Sequence, residues 1–159
     1  MADMNMSKQH RGPQLSYVGA ALLMASAACS GAAQAAGSTM FRDPNCGCCE
    51  AWAEHFAENM HSEVSVQDST DMTAIKERHG VPRDLRSCHT MIVEGYVIEG
   101  HVPAADLARL LHEKPEDVAG LAVAGMPVGS PGMEMGDHKQ RYQVIAFGAN
   151  GRSVFSSYN

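Results

Sequence analysis

After residue 28 the chain carries no apolar run near the roughly 20 residues a membrane-spanning helix needs, so its body predicts no membrane span. It lacks a basic stripe as well: 12 Lys and Arg stand against 18 Asp and Glu, a formal charge of −6. An acidic surface repels phosphate backbones and anionic headgroups, which argues against nucleic acid and membrane-surface partners. Internal repeats are absent. Cysteine is missing from most of the chain, and beyond residue 35 three of the four crowd into Cys46-Gly47-Cys48-Cys49. A scaffold of disulfide-stapled loops would spread its cysteines, so crowding points to redox or metal chemistry instead. At 159 residues there is room for one domain.

The first 35 residues do not read as part of that domain. Lys8 and Arg11 form a short basic start, Leu15–Ala28 is a short apolar middle, and Ala33-Gln34-Ala35 fits an A-x-A exit. This pattern predicts a secretory signal over residues 1–35, with residues 36–159 as the mature domain. A retained N-terminal anchor is one alternative. Lipid attachment at Cys29 is another, although Ser26 stands where a bulky aliphatic residue is usual. Removal of Asp3, Lys8 and Arg11 with the signal leaves a formal charge of −7.

Patterning over residues 36–159 predicts the order β-α-β-α-β-β-α, followed by a Gly/Pro-rich loop and a closing hairpin. A strand at 39–42 leads through Asp43-Pro44 to Asn45, the expected N-cap of a helix over 47–60. Trp52, Phe56 and Met60 recur every four residues and form its inward stripe. Val64 and Val66 alternate along a strand at 63–67. A helix follows at 71–80, with Met72 and Ile75 inward, then a loop at 81–87 and strands at 90–93 and 96–99. A third helix begins near Pro103 and turns Leu107, Leu110 and Leu111 to the core. Asn150-Gly151 joins strands at 142–147 and 152–155. The fold class is therefore α/β, a sandwich with a small central mixed sheet flanked by helices, and a strand leading straight into a cysteine-bearing helix start resembles the layout of a thioredoxin-like sandwich.

A strand running into a cysteine-bearing helix start places thiols among unpaired N–H groups at the positive end of the dipole, where thiolate is favoured. Cys46 and Cys49 have C-x-x-C spacing, and Cys48 adds a third sulfur within one turn. Three thiolates this close repel unless a cation neutralises them or two are oxidised. Soft d¹⁰ ions such as Cu(I) or Zn(II) meet the first condition. Cys88, in Ser87-Cys88-His89-Thr90, enters a central strand whose start faces the first helix in a thioredoxin-like sheet. A buried, inert thiol is the bland reading of Cys88. With three sulfurs opposite, a fourth ligand is the reading taken.

The segments DPNCGCCEAW, GVPRDLRSCHT, VEGYVIEGHVPAADLARLL and GLAVAGMPVGSPGMEMG resemble, in order, the motifs of the CopG-type periplasmic copper-resistance family, over nearly all of residues 40–158. The resemblance implies a thioredoxin-like fold and cysteine-bound copper, in one ion or a multinuclear cluster. Its cysteines match Cys46, Cys48, Cys49 and Cys88. Redox thioredoxins differ here: Asn45 stands in place of their tryptophan, Cys48 in place of their proline, and no proline precedes Thr90.

Met126 and Met133 are further candidate ligands, since a thioether suits Cu(I) and their spacing, with that of Met135, fits neither helix nor strand. Pinning of the loop to the core is the competing reading. His101 ends a strand before a helix and is the histidine chosen as a ligand. His89 neighbours Cys88, but strand alternation turns adjacent residues to opposite faces, so sharing one ion needs a bend or a second metal. His55 is expected as a partly buried neighbour of the site, and His138 carries no sequence signal. The function expected is periplasmic sequestration or transfer of Cu(I) through a four-cysteine site, with Cu(II)/Cu(I) redox coupled to the sulfurs. The alternative is a thiol–disulfide oxidoreductase using Cys46 and Cys49. Zinc is the other ion considered, although it gains little from thioethers. Expected partners are copper ions and a periplasmic copper carrier or efflux system.

Overall fold

The computed structural model describes residues 37–159. The signal expected over 1–35 and the alternative attachment point at Cys29 lie outside the described residues. Among the described residues no helix is long and apolar enough to cross a membrane.

Seven strands form one mixed sheet: β1 (Ser38–Arg42), β2 (Val64–Asp68), β3 (His89–Val93), β4 (Tyr96–Glu99), β5 (Val118–Ala122), β6 (Tyr142–Gly148) and β7 (Gly151–Tyr158). Their spatial order is β2-β1-β3-β4-β5-β6-β7. The β1/β2 and β4/β5 pairs are parallel and the rest antiparallel. Three helices pack on the sheet: α1 (Gly47–Met60), α2 (Met72–Arg78) and α3 (Ala104–Glu113). A single 3₁₀ turn, Arg83–Leu85, interrupts the loop before β3.

Alternation along the strands divides the core in two. On one face Met40, Met91, Val93, Ile98, Leu121 and Val144 meet Cys49, Trp52 and Phe56 of α1 and Leu107 and Leu110 of α3. On the other, Val97, Ala122 and Phe147 pack with Val81 and Leu85. Trp52 is 1% exposed and donates its indole N–H to Val102 O at 2.9 Å, so the largest side chain of α1 is both buried and polar-satisfied. This contact ties the first helix to the segment that precedes α3.

The structure departs from the sequence expectations in a few places. Residues 118–122 form β5, which patterning missed because Gly120 and the alanines around it are poor strand formers. Cys46, not Asn45, is the N-cap of α1, and no side chain caps it; Asn45 is exposed in the preceding turn. Val66 is 43% exposed because β2 is an edge strand with one neighbour and little cover. Asp71, expected inside the second helix, caps it by accepting from Ala74 N at 2.9 Å.

Candidate metal centre

The site lies where the start of α1 meets the segment entering β3. Cys46 and Cys49, one turn apart with Cα atoms separated by 5.3 Å, are joined by a disulfide. Cys48 and Cys88 are free thiols. The Cys48 sulfur lies 3.5 Å from that of Cys46 and 4.0 Å from that of Cys88. Although Cys88 is 40 residues from Cys48 along the chain, all four sulfurs fall within 4.8 Å of one another.

A second donor group overlaps the first. Cys88 Sγ is 3.1 Å from His101 Nε2 and 3.3 Å from His89 Nδ1. These three side chains also have ligand atoms within 4.8 Å of one another, so Cys88 belongs to both groups. The bend that would let Cys88 and His89 share an ion is present. Cys88 stands in a bend just before β3, where strand alternation does not yet apply, and its side chain can share a face with that of His89. Within β3, His89 lies on the same face as Met91, and its ring packs at a tilt against Trp52 with centroids 4.5 Å apart. Only the bend at Cys88 separates this arrangement from the one sequence spacing predicts, and spacing alone carries no sign of the bend.

The electrostatics keep these donors neutral before a cation arrives. Burial, reinforced by the neighbouring Cys48, pushes the Cys88 thiol up to about 12. Burial also lowers His101. His89 is held well below the usual histidine range by burial, then by repulsion from His101 in its protonated form and from Lys76. His101 Nδ1 lies 2.8 Å from Pro131 O, an acceptor that fixes the proton there and leaves the Nε2 lone pair facing Cys88. His89 Nε2 is buried without a hydrogen-bond partner. Neutral imidazoles and displaceable thiol protons are the form in which such groups bind a soft cation.

The Gly/Pro-rich loop closes over this pocket. Gly132 has φ +79°, and a Cβ on it would stand 2.7 Å from Trp52 N and 2.9 Å from Cys48 O, so only glycine permits the approach. Gly132 thus brings half-buried Met133 to the first turns of α1. Met126 follows Gly125, whose carbonyl accepts from Ser87 Oγ next to Cys88, yet Met126 itself is 53% exposed. His55 stands apart: its Nε2 accepts from Ala104 N at 3.2 Å and caps α3.

Beneath the pocket is a polar cluster that the sequence reading did not anticipate. Glu99 is fully buried and takes Lys76 Nζ at 2.6 Å, Thr90 Oγ1 at 2.7 Å and Ser87 N at 2.5 Å. Through Ser87 N it fixes the backbone immediately before Cys88.

Residues 85–133 match a family described as protein of unknown function, DUF411. No curated protein matches the chain. Two solved structures of a copper resistance protein, copG, are similar throughout the domain. Form 2 shares 45% identity over 77% of this chain and 98% of its own, with a TM-score of 0.72. Form 1 shares 46% identity over 77% and 96%, with a TM-score of 0.71.

Proposed function

Because the chain belongs to the family of CopG copper-resistance proteins, we propose that it binds copper as its cargo, taken up as Cu(I) by Cys46, Cys48, Cys49 and Cys88. His101 completes the donor set, His89 adds a second imidazole beside Cys88 and His101, and Met126 and Met133 supply thioethers from the loop. The observation that carries this reading is the convergence of four sulfurs from two distant segments within 4.8 Å. Cys88, common to an all-sulfur group and a Cys-His-His group, is placed to bridge two ions. Thiolate and thioether sulfur favour Cu(I) over harder ions. Residues 1–35 act as the secretory signal, the mature domain works in the periplasm, and a carrier or efflux system there exchanges the metal.

The disulfide gives this site a redox counterpart. Reduced Cys46 and Cys49 can each surrender one electron, so that two thiolates and two Cu(II) become one disulfide and two Cu(I). Anaerobic titration of the reduced protein with Cu(I) against a competing chelator tests the binding: the protein outcompetes a weak chelator, and failure to do so defeats the reading. Elemental analysis of protein purified without oxygen separates copper from zinc.

The Cys46–Cys49 bond also favours a second reading, a thiol–disulfide oxidoreductase in which Cys46, the more exposed of the two, is the attacking thiolate. Insulin-reduction turnover that survives both C48S and C88S would select it over copper binding.

A further inference from the structure

Two soft donors outside the cysteine pocket face each other on the loop that covers it. Met135 and His138 form an isolated antiparallel bridge, closed by a hydrogen bond of 3.2 Å from His138 N to Met135 O. Gly136, at φ +57°, makes the tight turn between them. Residues directly opposed in an antiparallel pair project to the same side. Both side chains accordingly line one recess of about 320 Å³, with Val128, Lys139 and Gln140.

The turn is anchored from both arms. Gly129 N donates to Met133 O at 2.8 Å and Gln140 N to Val128 O at 2.8 Å, while Gln140 Oε1 accepts from Val128 N at 2.9 Å. Core packing does not account for Met135, which is 62% exposed. His138 is exposed too. Asp137, in the turn itself, carries the charge opposite to that of Lys139.

We propose that Met135 and His138 form a second Cu(I) site on the surface, weaker than the cysteine pocket and feeding it. A thioether and a neutral imidazole satisfy a soft monovalent ion that accepts few ligands. Neither donor is a thiol, so this site stays open when Cys46 and Cys49 are oxidised. The feeding role rests on copper binding by the cysteines, whereas the Met135–His138 site itself does not.

The test is an anaerobic titration of the reduced full chain, labelled at the methionine methyls, with Ag(I) as a diamagnetic substitute for Cu(I), followed by NMR. The cysteine pocket fills first. A further equivalent then moves the Met135 methyl and the His138 ring signals together along one isotherm. M135L and H138Q, both at exposed positions, each weaken that later step at least tenfold and leave the earlier one intact. The proposal is overturned if Met135 stays unmoved once the pocket is full, or if H138Q leaves its response unchanged, which is the behaviour of a lone exposed thioether. Loss of the first step with retention of the second would count against the cysteine reading and leave the surface site standing.

Discussion

Cys88 is the residue on which both donor groups depend, and it is also the one with the least tolerance for change. Its sulfur sits 4.0 Å from Cys48, 3.1 Å from His101 and 3.3 Å from His89. Replacement of a supporting residue at a metal site costs roughly 10–100-fold in affinity, and C88S removes a ligand common to two groups. Its Cu(I) affinity, measured against a chelator, is expected to fall by more than that range, with C48S less severe because it touches only the sulfur group. Acid sensitivity is shared by three histidines that burial lowers, His55, His89 and His101. His55 is lowered from its ordinary value mainly by burial, and in its neutral form it accepts from Ala104 N to cap α3. A histidine with a depressed folded pKa contributes stability that is complete above about 6.5 and lost as pH falls from there through the folded value. The melting temperature of the apo protein should therefore drop between pH 7 and pH 5. H55Q, whose amide oxygen accepts without titrating, should remove the His55 share of that slope and leave the share of His89 and His101, and an unchanged slope would remove His55 from the account. The meeting of Cys88 with Cys46, Cys48 and Cys49 was legible from spacing and from the strand-into-helix layout, whereas His101 was singled out only by its place between a strand and a helix. The capping role of His55 was not, because its partner lies 49 residues away and only folding joins them.

At the scale of elements, the pocket rests on a junction of α2, β3 and β4. Lys76 of α2 and Glu99 of β4 are 2.6 Å apart with side chains 6% and 0% exposed, and Thr90 of β3 bridges them. A buried charge left without its partner costs about 3–5 kcal/mol, whereas replacing both by apolar groups of like size is often close to neutral. E99Q should accordingly lower the unfolding free energy measured in urea by an amount in that range, and a K76M/E99L double variant should recover most of it. The double variant still lacks the acceptor for Ser87 N, so its Cu(I) affinity should stay below wild type while its stability does not. Recovery of both together would mean that Glu99 has no part in placing Cys88. The helices and the paired strands β3 and β4 were readable from apolar periodicity and turn chemistry. β5 was hidden by composition: Gly120 lies against the backbone of β4, where a Cβ would stand 2.0 Å from Val97 O, so close packing demanded a residue that propensity counts against a strand.

For the molecule as a whole, the four cysteines offer two cross-links, a disulfide and a metal, that compete for Cys46 and Cys49 but differ in the length of chain they close. The Cys46–Cys49 disulfide spans a separation of 3 residues, and in the chain-entropy model so short a loop contributes about 2 kcal/mol. Metal held by Cys48 and Cys88 links positions 40 residues apart, joining the start of α1 to the entry of β3. A ligand present at about 1,000 times its dissociation constant contributes about 4 kcal/mol of linkage stabilisation. The melting temperatures should therefore rise in the order reduced apo, oxidised apo, reduced and copper-loaded. The oxidised protein should gain less from Cu(I) than the reduced one, because two of its four sulfurs are already spent in a bond. Calorimetry on the three states, with free Cu(I) buffered by a chelator, reads that order directly. An equal gain in the oxidised and reduced forms would place the metal away from Cys46 and Cys49, and a copper-loaded form no more stable than reduced apo protein would remove the cross-link altogether.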